Sequence, residues 1–193
     1  MIDYIKGEIV ELSPTRMVME CSGIGYEINI SLTTFTAFSG KNSGTIYVYE
    51  VIREDAHLLF GFSGKKEREL FLLLISVSGV GPNTARMILS SLQTDDLIQV
   101  IASGNDAALT SVKGIGSKTA QRIMVDLKGK VKTMGSVEPS LQTGNTNVTD
   151  EAIAALIMLG FQKNASQKVV DSILKSTPNL SVEQVIKAAL RML

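Results

Sequence analysis

Residues 76–92 read SVSGVGPNTARMILSSL and residues 111–127 read SVKGIGSKTAQRIMVDL. Matching residues are 35 apart each time: Gly79 with Gly114, Gly81 with Gly116, Ala85 with Ala120, Ile88 with Ile123, Leu92 with Leu127. One unit has been written twice. In each copy a Gly-hydrophobic-Gly turn precedes apolar residues at helical spacing. The glycines permit positive φ and a close approach to a neighbouring backbone.

Three kinds of site use glycines in this way. A dinucleotide-binding turn, GxGxxG/A, needs a buried strand before the glycines and a βαβ unit around them. Here the preceding residues read as helix and no strand pattern follows either copy. A phosphate loop needs lysine directly after its last glycine, and neither GIGSKT nor the earlier GFSGKK meets that spacing. What remains is the helix-hairpin-helix, which both copies resemble: a short helix, the glycine hairpin, and a second helix whose early alanine packs on the first. Its hairpin offers backbone N–H groups and a positive helix end to a phosphate oxygen. Such binding ignores base sequence and weakens with salt.

Charge supports that reading once the chain is divided. The formal net charge is zero. Residues 1–62 carry four Lys/Arg against eight Asp/Glu, residues 63–134 ten against six, and residues 135–193 five of each. The basic excess coincides with the repeat, around Arg86, Lys113, Lys118, Arg122, Lys128 and Lys130. The only cysteine is Cys21 and the only histidine His57, so no disulfide and no Cys/His zinc cluster is expected. Cys21 is expected to be a buried, inert thiol, and His57 lacks the neighbours of a triad. No catalytic residue, metal or cofactor is assigned. With no apolar run of about 18 residues and no signal-peptide pattern, a soluble cytoplasmic protein without a membrane partner is expected.

Before the repeat, IKGEIVEL, RMVMEC, YEINI, TIYVYEVIR and HLLFGF read as five short strands, with SLTTFTAF as a helical insert. That pattern points to a small barrel of the OB type, with an SH3-like barrel or a small open sheet as the alternatives. KKERELFLLLIS then changes period to a helix whose apolar block, with Leu70, Leu73 and Leu74, is too continuous for one exposed face. It suits either a core or a subunit interface. TDDLIQVIASGNDAAL predicts a helix capped by Thr94 or Asp95. From Thr133 to Asp150 periodicity disappears into Gly, Ser, Thr, Asn and Pro. Three amphipathic helices follow, with Thr149 and Ser181 as N-caps and Gly160 ending the first. The expected fold is multidomain α+β: an OB-fold β-barrel (1–63), an all-α tandem helix-hairpin-helix domain (64–134), a flexible linker (135–148) and a three-helix, UBA-like module (149–193).

This order, together with GYEINISLTTF, VIREDAHLLFGF, SGVGPNTA and KGIGSKTAQRI, closely resembles the RuvA family, the Holliday-junction-binding subunits of bacterial branch-migration complexes. The resemblance spans the whole chain. It implies a homotetramer, or an octamer of two tetramers, holding a four-way DNA junction open and square. It implies that the C-terminal domain recruits a RuvB-type AAA+ motor, and it leaves room for a RuvC-type resolvase. DNA contacts would fall on Gly79, Val80, Gly81, Asn83, Thr84 and Arg86 in the first copy. In the second they would fall on Gly114, Ile115, Gly116, Ser117, Lys118, Thr119 and Arg122. Glu54 and Asp55 would form an acidic pin at the crossing point, repelling phosphates. Leu70, Leu73 and Leu74 would serve the subunit interface, and Leu159, Gly160 and Phe161 the motor. Asn83 and Ser117 stand where the family often has lysine, which leaves the backbone donors but weakens the clamp.

Two rival readings stay open on the residues alone. A nuclease-like repair enzyme using the hairpins to hold DNA would need clustered carboxylates for a divalent metal. The adjacent acidic pairs are Glu54-Asp55, Asp95-Asp96 and Asp150-Glu151. A generic single-strand-binding OB protein would need exposed aromatics on the barrel, and aromatics make up 5% of the chain.

Overall fold

The computed structural model describes residues 1–134, 146–178 and 180–193. They fall into two compact units that divide between Glu138 and Pro139. The first holds the barrel and both repeats together; the second holds the C-terminal helices.

Strands β1 (Tyr4–Ser13), β2 (Arg16–Cys21) and β3 (Ile24–Ile30) form an antiparallel meander. Helix α1 (Leu32–Phe38) follows, capped by the Ser31 hydroxyl, which accepts from the Thr34 amide. Strands β4 (Ser43–Ile52) and β5 (His57–Phe62) complete a closed barrel in the order β1-β2-β3-β5-β4, with β4 returning to β1. The β3–β5 pairing is parallel and the others antiparallel. Alternate residues fill the interior: Met17 and Met19, Ile28 and Ile30, Ile46 and Val48, with Leu59, and with Phe38 entering from α1. Gly61 lets this interior close, since a Cβ there would lie 2.5 Å from both Ile28 Cγ2 and Ile46 Cδ1.

HLLFGF does not alternate because β5 is buried on both faces. Leu59 faces the barrel core, while Phe60 and Phe62 pack outward on Phe71 of α2 (Lys65–Ile75), with ring centroids 5.5 and 4.8 Å apart. A second, polar tie fixes α2. Glu67 is buried and accepts from Ser31 Oγ (2.6 Å), Thr34 Oγ1 (2.9 Å), the Ser63 amide (3.0 Å) and Ser63 Oγ (3.0 Å). A buried carboxylate is tolerable only with such a full set of donors. Barrel and helices are therefore packed together in one compact unit.

The helical part continues through α3 (Pro82–Ser91), α4 (Thr94–Ser103), α5 (Asp106–Thr110) and α6 (Ser117–Met134) around one apolar core. Helix α4 begins earlier than either expected cap, Thr94 or Asp95, allows: Gln93 is the N-cap and makes no side-chain capping bond. Leu70, Phe71 and Leu74 are fully buried in this core. Leu70 and Leu74 are thus core residues, and the expectation of a subunit contact through them is corrected.

In the second unit, α7 (Thr146–Met158), α8 (Lys163–Ser176) and α9 (Val182–Ala189) close on Ala152, Leu156, Val170, Ile173, Val185 and Ala189. Helix α7 starts inside the expected linker, so Thr149 lies within the helix rather than capping it. The remainder of that linker, residues 135–145, lies outside the described residues. Ser181 caps α9 as expected, in a reciprocal box with Gln184. Among the described residues no helix is long and apolar enough to cross a membrane.

Candidate nucleic-acid interface

The two hairpins have the same backbone. In the first, the Val77 amide donates to Leu74 O (3.1 Å), Val80 to Val77 O (3.0 Å) and Ala85 to Gly81 O (2.9 Å). Thirty-five residues on, Val112 donates to Leu109 O (3.1 Å), Ile115 to Val112 O (3.0 Å) and Ala120 to Gly116 O (3.0 Å). Gly79 has φ +90° and Gly114 +89°, a region that a side chain disfavours. Val80 and Ile115 both turn inward, and Ala85 and Ala120 are fully buried where each second helix crosses its neighbours.

Each hairpin feeds a helix whose first amides point outward unused. The amides of Gly81, Asn83 and Thr84, and those of Gly116, Ser117, Lys118 and Thr119, have no acceptor among the described residues. The first hairpin is one donor short because Pro82 has no N–H. Helices α2, α4 and α5 place Glu67, Asp95 and Asp96, and Asp106 in their first turns, whereas α3 and α6 place no acid there. Both ends are therefore free to attract an anion.

Side chains break the symmetry. The offset of 35 pairs Pro82 with Ser117, Asn83 with Lys118, Arg86 with Gln121 and Met87 with Arg122. Lys113, Lys118 and Arg122 are exposed and make no ion pair among the described residues. Arg86 is already engaged. Its Nη1 donates to Thr15 O (3.2 Å) and Asn29 Oδ1 (3.0 Å) of the barrel, and burial lowers its pKa. Nη1 of Arg86 is thus engaged within the protein and ties α3 to the barrel.

The copies also pack on each other crosswise. A Cβ on Gly79 would lie 3.8 Å from Arg122 Nη1, and one on Gly114 would lie 3.4 Å from Met87 Cε. One side chain from the second helix of each unit thus reaches the hairpin of the other. Arg122 belongs to the second copy in sequence but stands beside the first hairpin in space.

Glu54 and Asp55 occupy the exposed tip of the β4–β5 hairpin, beyond the last pair Ile52–His57, where the Arg53 amide closes the turn on Ala56 O at 2.8 Å. Neither carboxylate has a partner among the described residues. At the base of this hairpin, His57 Nε2 lies 3.1 Å from Glu50 Oε1. The Glu50 pKa is lowered, first by the Ile2 amide at 2.8 Å and then by His57. Cys21 is half-buried beside the barrel core rather than fully buried. Asp95 is paired with Lys66 at 2.6 Å, and among the described residues no three His, Cys, Asp or Glu side chains gather as metal ligands.

Of the residues expected at a subunit interface, only Leu73 reaches the surface. It lines an open apolar groove with Leu72, Gly129 and Met134. In the C-terminal unit, Leu159 is exposed, and Met158 beside it is 88% exposed. Gly160, at φ +98°, ends α7: its amide donates to Ile157 O and that of Phe161 to Leu156 O. This turn folds Phe161 back toward the core, where it is half-buried.

Sequence reasoning missed Thr15 and Asn29 as the Arg86 acceptors, because nothing local marks a contact that spans 71 and 57 residues. It missed Leu72 and Met158 too. Helical spacing of the buried stripe Leu70, Phe71, Leu74 and Val77 carried the information for Leu72.

Comparison with known proteins agrees along the full length. Residues 1–61 match the family model of the RuvA N terminal domain, residues 71–129 that of the SAM-like helix-hairpin-helix tandem, and residues 147–193 that of the RuvA C-terminal domain. Three relatives are each named Holliday junction branch migration complex subunit RuvA. They come from Parabacteroides distasonis (71% identical), Bacteroides thetaiotaomicron (54%) and Porphyromonas gingivalis (53%), and each match covers 100% of both chains. A barrel closed through a parallel β3–β5 pair, a doubled glycine hairpin and a separate three-helix unit, matched end to end at this identity, make the chain a member of the RuvA family.

Proposed function

We propose that this chain is the non-catalytic, junction-holding subunit of a DNA branch-migration complex. The observation that carries the proposal is the doubled hairpin: two near-identical frames, each presenting unpaired amides at an acid-free helix start. Such a frame suits a phosphate oxygen and reads no base, as a factor that must hold junctions of any sequence requires. Lys113, Lys118 and Arg122 add the salt-sensitive part of binding.

Four copies around a square junction would bring the Glu54 and Asp55 tips to its centre. There the unpaired carboxylates repel phosphates and keep exchanging strands apart. Leu72 and Leu73 supply an apolar surface for a neighbouring subunit, and Met158 and Leu159 one for the ATP-hydrolysing motor. The chemistry of ATP then belongs to the motor, and this subunit contributes grip and geometry. A resolvase would use whichever junction face the subunits leave open.

The test is gel retention of a synthetic four-way junction, a linear duplex and a single strand, with and without magnesium. The proposal expects tight retention of the junction, weaker retention of duplex, and intact DNA throughout. Equal affinity for all three overturns it, and cleavage products would point to a nuclease. Glu54→Gln with Asp55→Asn should leave junction retention intact or tighter while changing branch migration by the motor.

A further inference from the structure

Helix α3 is fastened to the barrel along one face. Arg86 Nη1 reaches Thr15 O and Asn29 Oδ1. One turn further on, the Ser90 hydroxyl accepts from the Leu32 amide at 3.1 Å and donates to Arg86 O at 2.8 Å. Thr33 Oγ1 donates to Leu89 O at 2.8 Å. The same face of α6 carries Gln121 and Val125, both exposed, with Val125 80% exposed. The repeated helix is thus docked in one copy and open in the other.

Asn29 extends the contact. Its Nδ2 donates to Leu59 O at 3.2 Å, in β5, the strand that runs from the acidic tip. Asn29 stands opposite Phe60 in the parallel β3–β5 pairing, so the arginine is one side chain away from the pin's own strand. An unbroken polar path runs from the first hairpin's helix through Arg86 and Asn29 to the hairpin that carries Glu54 and Asp55.

We propose that Arg86 is a positioning residue: through Asn29 it fixes the first phosphate grip relative to the acidic pin, and it makes no phosphate contact itself. This rests on the reading of the hairpins as phosphate grips and the β4–β5 tip as the pin. A four-way junction must meet both at a set spacing, whereas a linear duplex needs only the grips. Loosening the tie therefore costs junction preference rather than DNA binding in general.

The experiment measures dissociation constants of the full-length protein for a four-way junction and for a linear duplex across a series of KCl concentrations. Arg86→Ala and Asn29→Ala should each lower the junction-over-duplex ratio about tenfold, the size expected for losing a hydrogen bond to a charged group. The double variant should do no worse than the poorer single, because both cut one path. The slope of log affinity against log salt should stay at the wild-type value. Arg86→Lys keeps the charge but is shorter, and should lose the same preference; with Asn29→Ala it decides the matter if Arg86→Ala folds poorly.

A slope lowered by about 0.9 in Arg86→Ala, with Asn29→Ala silent, would make Arg86 a phosphate contact and overturn the proposal. An unchanged ratio in both variants overturns it equally. Lys118→Ala runs alongside and should lower the slope by about 0.9. If it does not, the reading of the hairpins fails on its own, whatever Arg86 does.

Discussion

The helix of the first hairpin-helix unit is docked on the barrel, and the second unit carries three exposed cations that make no ion pair among the described residues. Their backbones nevertheless agree in hydrogen bonds, in glycine φ and in the burial of the valine or isoleucine and the alanine that shape them. Apart from the amide that Pro82 lacks, the difference lies in side chains: Arg86 against Gln121, Ser78 against Lys113, Asn83 against Lys118, Met87 against Arg122. Duplication kept the parts that make an amide cradle and freed the rest. On the proposed reading, one copy fixes the unit's geometry and the other supplies charge. Because Arg122 leans over Gly79, the charge of the second copy also serves the first hairpin.

If the frames are equivalent, damage to either should cost the same. The largest effect is expected from Ala85→Leu and Ala120→Leu, each forcing three carbons into a fully buried helix crossing. Overpacking of this kind costs about 1–3 kcal/mol. The two variants should lower the thermal midpoint by matching amounts, and a large inequality would break the equivalence. Next come Gly79→Ala and Gly114→Ala, which place a side chain at φ near +90°. Each should cost about 1–2 kcal/mol by urea unfolding. Their effects on junction affinity should be similar as well.

The smallest effect sharpens the comparison. Pro82→Ala gives the first hairpin the amide it lacks, and Ser117→Pro removes the matching amide from the second. Proline is accepted at the first helical position, so both variants should fold. One hydrogen bond is worth about 1 kcal/mol. Junction affinity should rise a few-fold in Pro82→Ala and fall by a similar factor in Ser117→Pro. Opposite signs, read by fluorescence anisotropy, are the expected result; no change in either would mean that these amides are not used.

Much of this was legible in the sequence because its signals are local. The 35-residue offset, the strand alternation, SLTTFTAF as a helix and the Ser181 cap each depend on neighbours a few residues away. The order of domains read from those signals is what then resembled one family along the whole chain. What was not legible depends on packing between distant segments. LFLLLIS looks uniform in sequence, and only the arrival of Phe60 and Phe62 from β5 decides that Leu70 and Leu74 are core while Leu72 is not. Arg86 looked like one more cation in a basic stretch until β3 delivered Asn29 beside it. Phe161 followed its glycine turn inward. The repeat was visible, but which copy would be docked depended on a barrel that the repeat does not contain.

The most direct test is the salt dependence of junction binding in a variant that empties the second copy of its cations, Lys113→Ala with Lys118→Ala and Arg122→Ala. The mirror variant of the first copy is Ser78→Ala with Asn83→Ala and Met87→Ala. The first should lower the slope of log affinity against log salt by about 2.7, about 0.9 for each phosphate left without its cation, and the second should leave the slope unchanged. Equal slopes in the two variants would contradict the division of labour between the hairpins.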